Sequence, residues 1–250
     1  MVTPAASLAL WTAEWRSGRC APDDVVDAMR AWTPRHTILA GHRNATTEFG
    51  LPMVDTIDPA LPMLLKILRA GKPVRYVRPV PGDPRGLPPG GDFAVAAMEI
   101  GEGLIAGDVG TVPVVSTDSI AWRVYYVGDV AVPDFLSNDS LLDAEVRMDE
   151  AISATTVAMA KTMAARDWRT TSNVRDLVQS ELAESTMHDL PPSMPVRAQR
   201  ILRKADHVAA ILTVAQNHFP ELFAVPIQDL RTQVRVAQLV AIHTALAGSP

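Results

Sequence analysis

The chain lacks glycine over almost half of its length: none of its 250 residues between Gly128 and Gly248 is glycine. Glycine supplies the positive-φ conformations of tight turns and weakens the interior of helices. A long stretch without it therefore favours helices joined by short connections. Proline follows the same division, because fourteen of the twenty prolines lie in the first 135 residues. The sequence thus predicts a turn-rich front half and a helical back half.

Cysteine is almost absent as well. Cys20 is the only cysteine, which excludes an internal disulfide, and no histidine or second cysteine lies near it in sequence to activate the thiol. No apolar run reaches the roughly 18 residues that a membrane-spanning helix needs. The N-terminus also lacks the basic region of a signal peptide. We therefore expect a cytoplasmic protein without a membrane partner.

A basic excess is lacking too, since the formal net charge is −5 at pH 7. Proteins that bind nucleic acids without sequence preference normally carry an excess of lysine and arginine. The charge balance therefore argues against a nucleic-acid partner. Apolar residues make up 48% of the chain and charged residues 20%, which are ordinary values for a globular protein.

Strand patterns occur in the front half, at residues 36–41, 74–80, 111–115 and 120–127. The last two form a predicted hairpin through a Ser-Thr-Asp-Ser turn. Strand–helix–strand order occurs twice, which favours parallel pairing with right-handed crossovers. Helices are predicted to begin at Pro4 and Pro22 and to cover residues 59–70 and 93–105.

Four helices are predicted after residue 135. They begin near Ser140, Ser172, Pro195 and Pro226, and Ser140 with Asp143 resembles a capping box. The third helix carries a heptad-like apolar seam typical of paired helices: Ile201, Ala205, Val208, Leu212, Ala215 and Phe219.

The predicted fold class is α+β (mixed α/β), a small mixed sheet with flanking helices followed by a helical region of about four helices. The predicted regions are residues 1–135 and residues 136–250. A small sheet often needs a long helix packed across it, so the sequence leaves open whether the two regions are separate domains.

The loop from residue 82 to residue 92 is the first candidate for a binding site. It follows a predicted strand, is rich in glycine and proline, and precedes a helix, whose N-terminal amides favour anions. The candidate ligand-binding residues are Arg75, Arg78, Gly82, Arg85, Gly90 and Gly91. The loop matches neither a P-loop nor a dinucleotide fingerprint. The alternative interpretation is a rigid structural connection.

A basic face on the third helix of the back half is the second candidate. Its residues, spaced three, four and three apart, are Arg197, Arg200, Lys204 and His207. They could bind a protein or another acidic partner. The alternatives are a solvated surface, or pairing with the acidic first helix, which carries Asp143, Glu145, Asp149 and Glu150.

No catalytic or metal-binding motif is present. The chain has no GxSxG and no HExxH sequence, and its six histidines are scattered along it. We predict no metal site, and the sequence leaves open which cofactor, if any, is bound and whether the protein is an enzyme.

Three segments, LALWTAEW, APDDVVDAMRAW and PGDPRGLPPGGDFAVAAMEIGE, resemble a family of uncharacterised proteins of high-GC Gram-positive bacteria. The resemblance implies a bacterial cytosolic setting and no known activity, cofactor or catalytic residue. The leading hypothesis is a non-catalytic interaction or regulatory protein that forms a homodimer through helical surfaces. The alternative is a protein or enzyme that binds a phosphate- or carboxylate-bearing small molecule at loop 82–92.

Overall fold

The computed structural model groups the chain into two compact units. The first contains residues 3–137, 188–194 and 245–250, and the second contains residues 1–2, 138–187 and 195–244. The residues that the structure describes are 2–54, 60–69, 73–84, 86–128, 139–165, 174–186, 188–218 and 226–248.

One mixed sheet forms the centre of the first unit. Its strands are β1 (Arg35–Ala40), β2 (Val74–Val77), β3 (Gly103–Ala106), β4 (Val109–Val115) and β5 (Ser119–Tyr126). Their order across the sheet is β1-β5-β4-β3-β2. Only β1 and β5 pair in parallel, and the other three pairs are antiparallel.

Helices cover both faces of this sheet. They are α1 (Pro4–Arg16), α2 (Pro22–Arg30), α3 (Arg43–Phe49), α4 (Ala60–Arg69) and α5 (Asp92–Ile100). Helix α5 packs on β4 and β5, and α1 packs on β2 and β3. The two helices lie on opposite faces, because the successive β2 residues Tyr76 and Val77 contact Thr3 before α1 and the cluster around Phe93 of α5, respectively. A mixed sheet with flanking helices confirms the predicted fold class.

The predicted parallel pairing of the first two strands is wrong. β1 and β2 lie at opposite edges of the sheet, because β5 takes the place beside β1. The predicted helix over 93–105 is also too long. Gly101, at φ 84°, ends α5 in a left-handed conformation, and the apolar residues after it form β3.

The second unit contains the four predicted helices. They are α6 (Leu141–Ala165), α7 (Val174–Thr186), α8 (Val196–His218) and α9 (Pro226–Ala247). Ser140 caps α6 as predicted, since the Asp143 backbone N–H donates to Ser140 Oγ over 3.1 Å. The Asp143 carboxylate accepts from the Ser140 hydroxyl over 2.5 Å, whereas a capping box would use the Ser140 backbone N–H. The predicted start at Ser172 lies outside the described residues. No helix in the described parts of the chain is both long and apolar enough to cross a membrane.

The heptad-like seam of α8 is used inside the second unit. Ile201, Ala205, Leu212 and Ala215 are buried, and α8 contacts both α6 and α7. Phe219 lies outside the described residues. This seam is therefore already occupied by helices of the same chain, so a dimer would need another surface.

Candidate binding site

The glycines of the loop between β2 and α5 have a conformational reason to be there. Gly82, Gly86, Gly90 and Gly91 all adopt φ values between 75° and 87°. Glycine takes this left-handed region at little cost, unlike residues with a Cβ atom. A Cβ on Gly82, Gly90 or Gly91 would meet no atom within 4 Å. These three glycines therefore serve the path of the backbone, and crowding does not explain them.

A pocket of about 720 Å³ lies between this loop and α5. The loop contributes Pro84, Leu87 and Pro88 to its wall. The helix contributes the apolar side chains of Ala94, Val95 and Met98 together with Glu99, the one charged residue among the described residues that line the pocket. The pocket thus offers an apolar environment that is large enough for a small organic molecule.

The wall of the pocket is anchored to the core of the unit. Leu87 is 7% exposed and belongs to a buried cluster with Val77, Phe93 and Tyr125. The prolines restrict φ on either side of it. The pocket therefore has a fixed shape before any ligand arrives.

The predicted ligand-binding residues are only partly brought together. Gly90 and Gly91 line the pocket, whereas the described residues Arg75, Arg78 and Gly82 do not. Arg78 lies close enough to Glu102 to lower the pKa of that carboxyl group. Arg85 lies outside the described residues. Anion binding at the loop therefore stays a prediction.

A buried carboxyl group, Glu102, lies beside the start of α1. Tyr76 donates to Glu102 Oε2 over 3.4 Å, and the Tyr76 hydroxyl is 3.0 Å from Thr3 Oγ1. Burial raises the pKa of Glu102, although interactions with Thr3, Arg78 and the Ala5 backbone act in the opposite direction. Because Thr3 caps α1, this network joins β2 and β3 to the helix terminus. We interpret it as structural.

The side chain of His36, a residue of β1, is a neutral imidazole ring. Trp122 Nε1 donates to His36 Nδ1 over 3.1 Å, so Nδ1 carries no proton. The proton is then on Nε2, which lies 2.9 Å from the Met29 carbonyl oxygen and donates to it. Burial lowers the pKa of this histidine. Both ring nitrogens are therefore engaged within the protein.

His42 and Asp92 form a weak pair near the start of α5. His42 Nδ1 is 3.5 Å from Asp92 Oδ2, and the side chains are 47% and 61% exposed. The same Nδ1 accepts from the Asn44 backbone N–H over 3.4 Å, which requires a free lone pair. This nitrogen cannot accept from Asn44 and donate to Asp92 at once, so the pair lacks the arrangement of a catalytic dyad.

Among the described residues, no three His, Cys, Asp or Glu side chains lie close enough together to bind a metal ion.

The thiol of Cys20 is poorly suited to reaction. Burial raises its pKa to about 11, and nearby carboxylates act in the same direction. At neutral pH it is therefore protonated and a weak nucleophile.

The basic face of α8 meets acidic residues of α6. Arg197 and Arg200 both pair with Glu145, over 3.0 Å and 3.3 Å. Lys204 pairs with Asp149. Pairing within the chain was one of the alternatives that the sequence left open. A partner-binding role of this face, with the exposed His207, stays a prediction.

The sequence indicated the loop wall of the pocket but not the helix wall. The glycines and prolines of the loop pointed to the correct segment. Helix α5 is apolar around most of its circumference. Phe93 and Ala97 lie on its buried side, and Val95 and Met98 line the pocket. The sequence therefore did not reveal which apolar side chains stay accessible and line a pocket.

Comparison with known proteins identifies two adjacent family domains. Residues 5–135 match the description "Rv1486c-like protein, N-terminal domain", and residues 142–245 match "Rv1486c-like protein, C-terminal domain". No solved structure matches the chain.

Mycobacterial relatives match nearly the whole chain. The "Uncharacterized protein Rv1486c" of Mycobacterium tuberculosis is 32% identical over 246 residues, covering 86% of this chain and 83% of the relative. The "Uncharacterized protein ML1804" of Mycobacterium leprae is 28% identical, covering 98% of each chain. These descriptions name no activity, as the resemblance of the three sequence segments implied. The chain belongs to the Rv1486c-like family.

Proposed function

We propose that this protein is a non-catalytic binding protein whose pocket, between loop 82–92 and α5, takes a small molecule with an apolar body. The observation that carries the proposal is the pocket itself, about 720 Å³ with walls that are almost wholly apolar. Small-molecule sites in proteins typically measure roughly 300–1,000 Å³ and are lined mainly by apolar side chains. The size therefore suits a small molecule better than a large macromolecular surface.

The charges of the described residues near the pocket favour a neutral ligand over an anion. Glu99 lines the pocket, and Asp92 begins the helix that forms one wall. A carboxylate or phosphate inside the pocket would lose its water and meet the like charge of Glu99. This argument favours an apolar body over the anionic ligand that the loop sequence alone suggested.

A preformed wall strengthens the case for binding. The prolines restrict φ along the loop, and Leu87 is fixed in the core. A rigid site loses little conformational entropy when its ligand binds. The ligand itself can therefore be small and still bind with useful affinity.

The proposal is tested with two ligands of equal chain length, 1-decanol and decanoate. We expect decanol to bind more tightly, because it lacks the charge that Glu99 opposes. Val95→Asp should weaken decanol binding at least tenfold, since this half-exposed side chain lines the pocket and tenfold corresponds to about 1.4 kcal/mol. Isothermal titration calorimetry measures both.

The matched control is Val115→Asp at the end of β4. Val115 is 60% exposed, close to the 58% of Val95, but it does not line the pocket. This variant should bind decanol like the wild type. Equal weakening in both variants would show unspecific binding, and tighter binding of decanoate than of decanol would revive the anionic alternative.

We also propose that the protein acts as a homodimer in the cytoplasm. Exposed apolar residues on α6 support a dimer surface there, since Leu142, Val146 and Val157 are 45% exposed or more. These three residues lie on one side of α6, and the buried residues Ala144 and Met148 lie on the opposite side. Sedimentation velocity should detect a dimer in the micromolar range. A monodisperse monomer at high micromolar concentration would contradict it.

A further inference from the structure

A short segment between α7 and α8 is built into the first compact unit. Residues 188–194, with the sequence His-Asp-Leu-Pro-Pro-Ser-Met, lie in this unit although the helices on either side belong to the second. The Trp11 indole Nε1 of α1 donates to the Asp189 carbonyl oxygen over 3.1 Å. Aromatic side chains that contact a proline-containing segment are typical of proline-rich peptide recognition.

A second contact uses a buried carboxylate on the same helix. Glu14 is 4% exposed and accepts from Arg19 Nε and Nη2 over 2.9 Å and 3.1 Å. Ser193 Oγ also donates to this carboxylate. Burial acts to raise the pKa of Glu14, but the hydrogen bonds from Arg19 and Ser193 prevail and lower it. Glu14 is therefore an ionised acceptor that Arg19 holds in place for a hydroxyl group.

A third contact stacks two rings. The Trp32 and His188 rings lie 3.4 Å apart at 9°. Trp32 Nε1 and His188 Nδ1 are both buried without a hydrogen-bond partner among the described residues. The His188 ring of the segment is thus held against a tryptophan of the same compact unit.

We propose that Trp11, Glu14 and Trp32 form a peptide-recognition surface, which residues 188–194 occupy within the chain. The partner that fits it is a protein segment of the same chemistry: a flat ring, then a free carbonyl, a Pro-Pro pair and a hydroxyl. Residues 191–194 form a turn in which the Met194 backbone N–H donates to the Pro191 carbonyl oxygen over 3.1 Å. The proline rings restrict φ within this turn, so little entropy is lost on binding. The internal segment acts as a competitor, since a tethered ligand has an effective concentration in the millimolar range.

The test uses the full chain with residues 188–194 replaced by seven Gly and Ser residues, and a fluorescein-labelled peptide of residues 186–196. Fluorescence anisotropy should show at least tenfold tighter peptide binding to this variant than to the wild type. In the same background Glu14→Gln should weaken binding tenfold. Asp27→Asn, an exposed charge on α2, is the matched control and should leave it unchanged.

If circular dichroism shows that the replacement variant is unfolded, a second variant is used instead. Met194 is 4% exposed, and Met194→Asp should expel the segment because a carboxylate resists burial. This variant should bind the labelled peptide, and a Ser193→Ala peptide should bind it more weakly. Binding no tighter than to the wild type, or equal loss with Asp27→Asn, would overturn the proposal. The pocket at loop 82–92 is tested separately, so either idea can fail alone.

Discussion

Trp122→Ala is expected to lower the free energy of unfolding by roughly 3–5 kcal/mol, the range for truncation of a buried large aromatic side chain. Trp122 is fully buried and is among the largest fully buried side chains in the described structure. It lies on β5 opposite Pro113 of β4 and Ile38 of β1. Its loss would leave a cavity in the middle of the sheet and remove the donor that His36 Nδ1 accepts.

Thermal unfolding measures this effect. For a chain of this size each kcal/mol lowers Tm by roughly 2–4 °C, so we expect a decrease of roughly 6–20 °C. Trp15→Ala is the control, because Trp15 lies on α1 and is only half-buried. The Trp15→Ala variant should lower Tm by a clearly smaller amount. Equal decreases of Tm in the two variants would contradict the prediction, because burial of Trp122 in the centre of the sheet would then add no stability beyond that of a half-buried tryptophan.

The sequence predicted those elements whose signals are local. Proline at the start of α1, α2 and α9 and the turn before β5 were each recognised from neighbouring residues. Each such signal depends on backbone conformation within a few residues, which a single sequence displays directly. The helical back half followed from the missing glycines for the same reason.

Strand pairing was not predictable in this way. β3 is four residues long and follows α5 closely. Only the left-handed Gly101 and the buried Glu102 separate the two elements. Where a strand pairs depends on residues far away in sequence, and Arg35 of β1 pairs with Ser119 of β5. The position of β2 at the far edge was therefore hidden.

Sites formed by distant residues were missed for a related reason. Pro191 and Pro192 interrupt helical structure locally, but nothing local links the segment that contains them to Trp11 or Glu14. Trp11 of α1 and Trp32, just after α2, are only half-buried and contact the segment 188–194. Periodicity predicts that a side chain faces the protein, but it does not identify what the side chain meets.

Acid should weaken the protein through His36. The ordinary pKa of a histidine is 6.5, and burial lowers the pKa of His36 in the folded state. Below pH 6.5 the unfolded chain takes up a proton that the folded chain still refuses. Stability is therefore fully present above pH 6.5 and falls as the pH drops toward the folded pKa, by at most about 1.4 kcal/mol per pH unit.

The hydrogen bonds of His36 explain why protonation is resisted. A proton on Nδ1 would face the Trp122 indole N–H, so two donors would meet where one bond now exists. His36→Gln can keep an acceptor and a donor but cannot titrate. Its stability at pH 7 should be lower than that of the wild type, because an amide fits the ring's place imperfectly.

Urea unfolding at pH 7.0 and pH 5.0 tests this assignment. The wild type should lose more free energy of unfolding between the two pH values than His36→Gln does. His188, whose pKa burial also lowers, is present in both proteins and cancels in the comparison. An equal loss in the two proteins would mean that groups other than His36 cause the acid sensitivity. A smaller loss in the variant would assign it to the one histidine whose two nitrogens join α2 to β5.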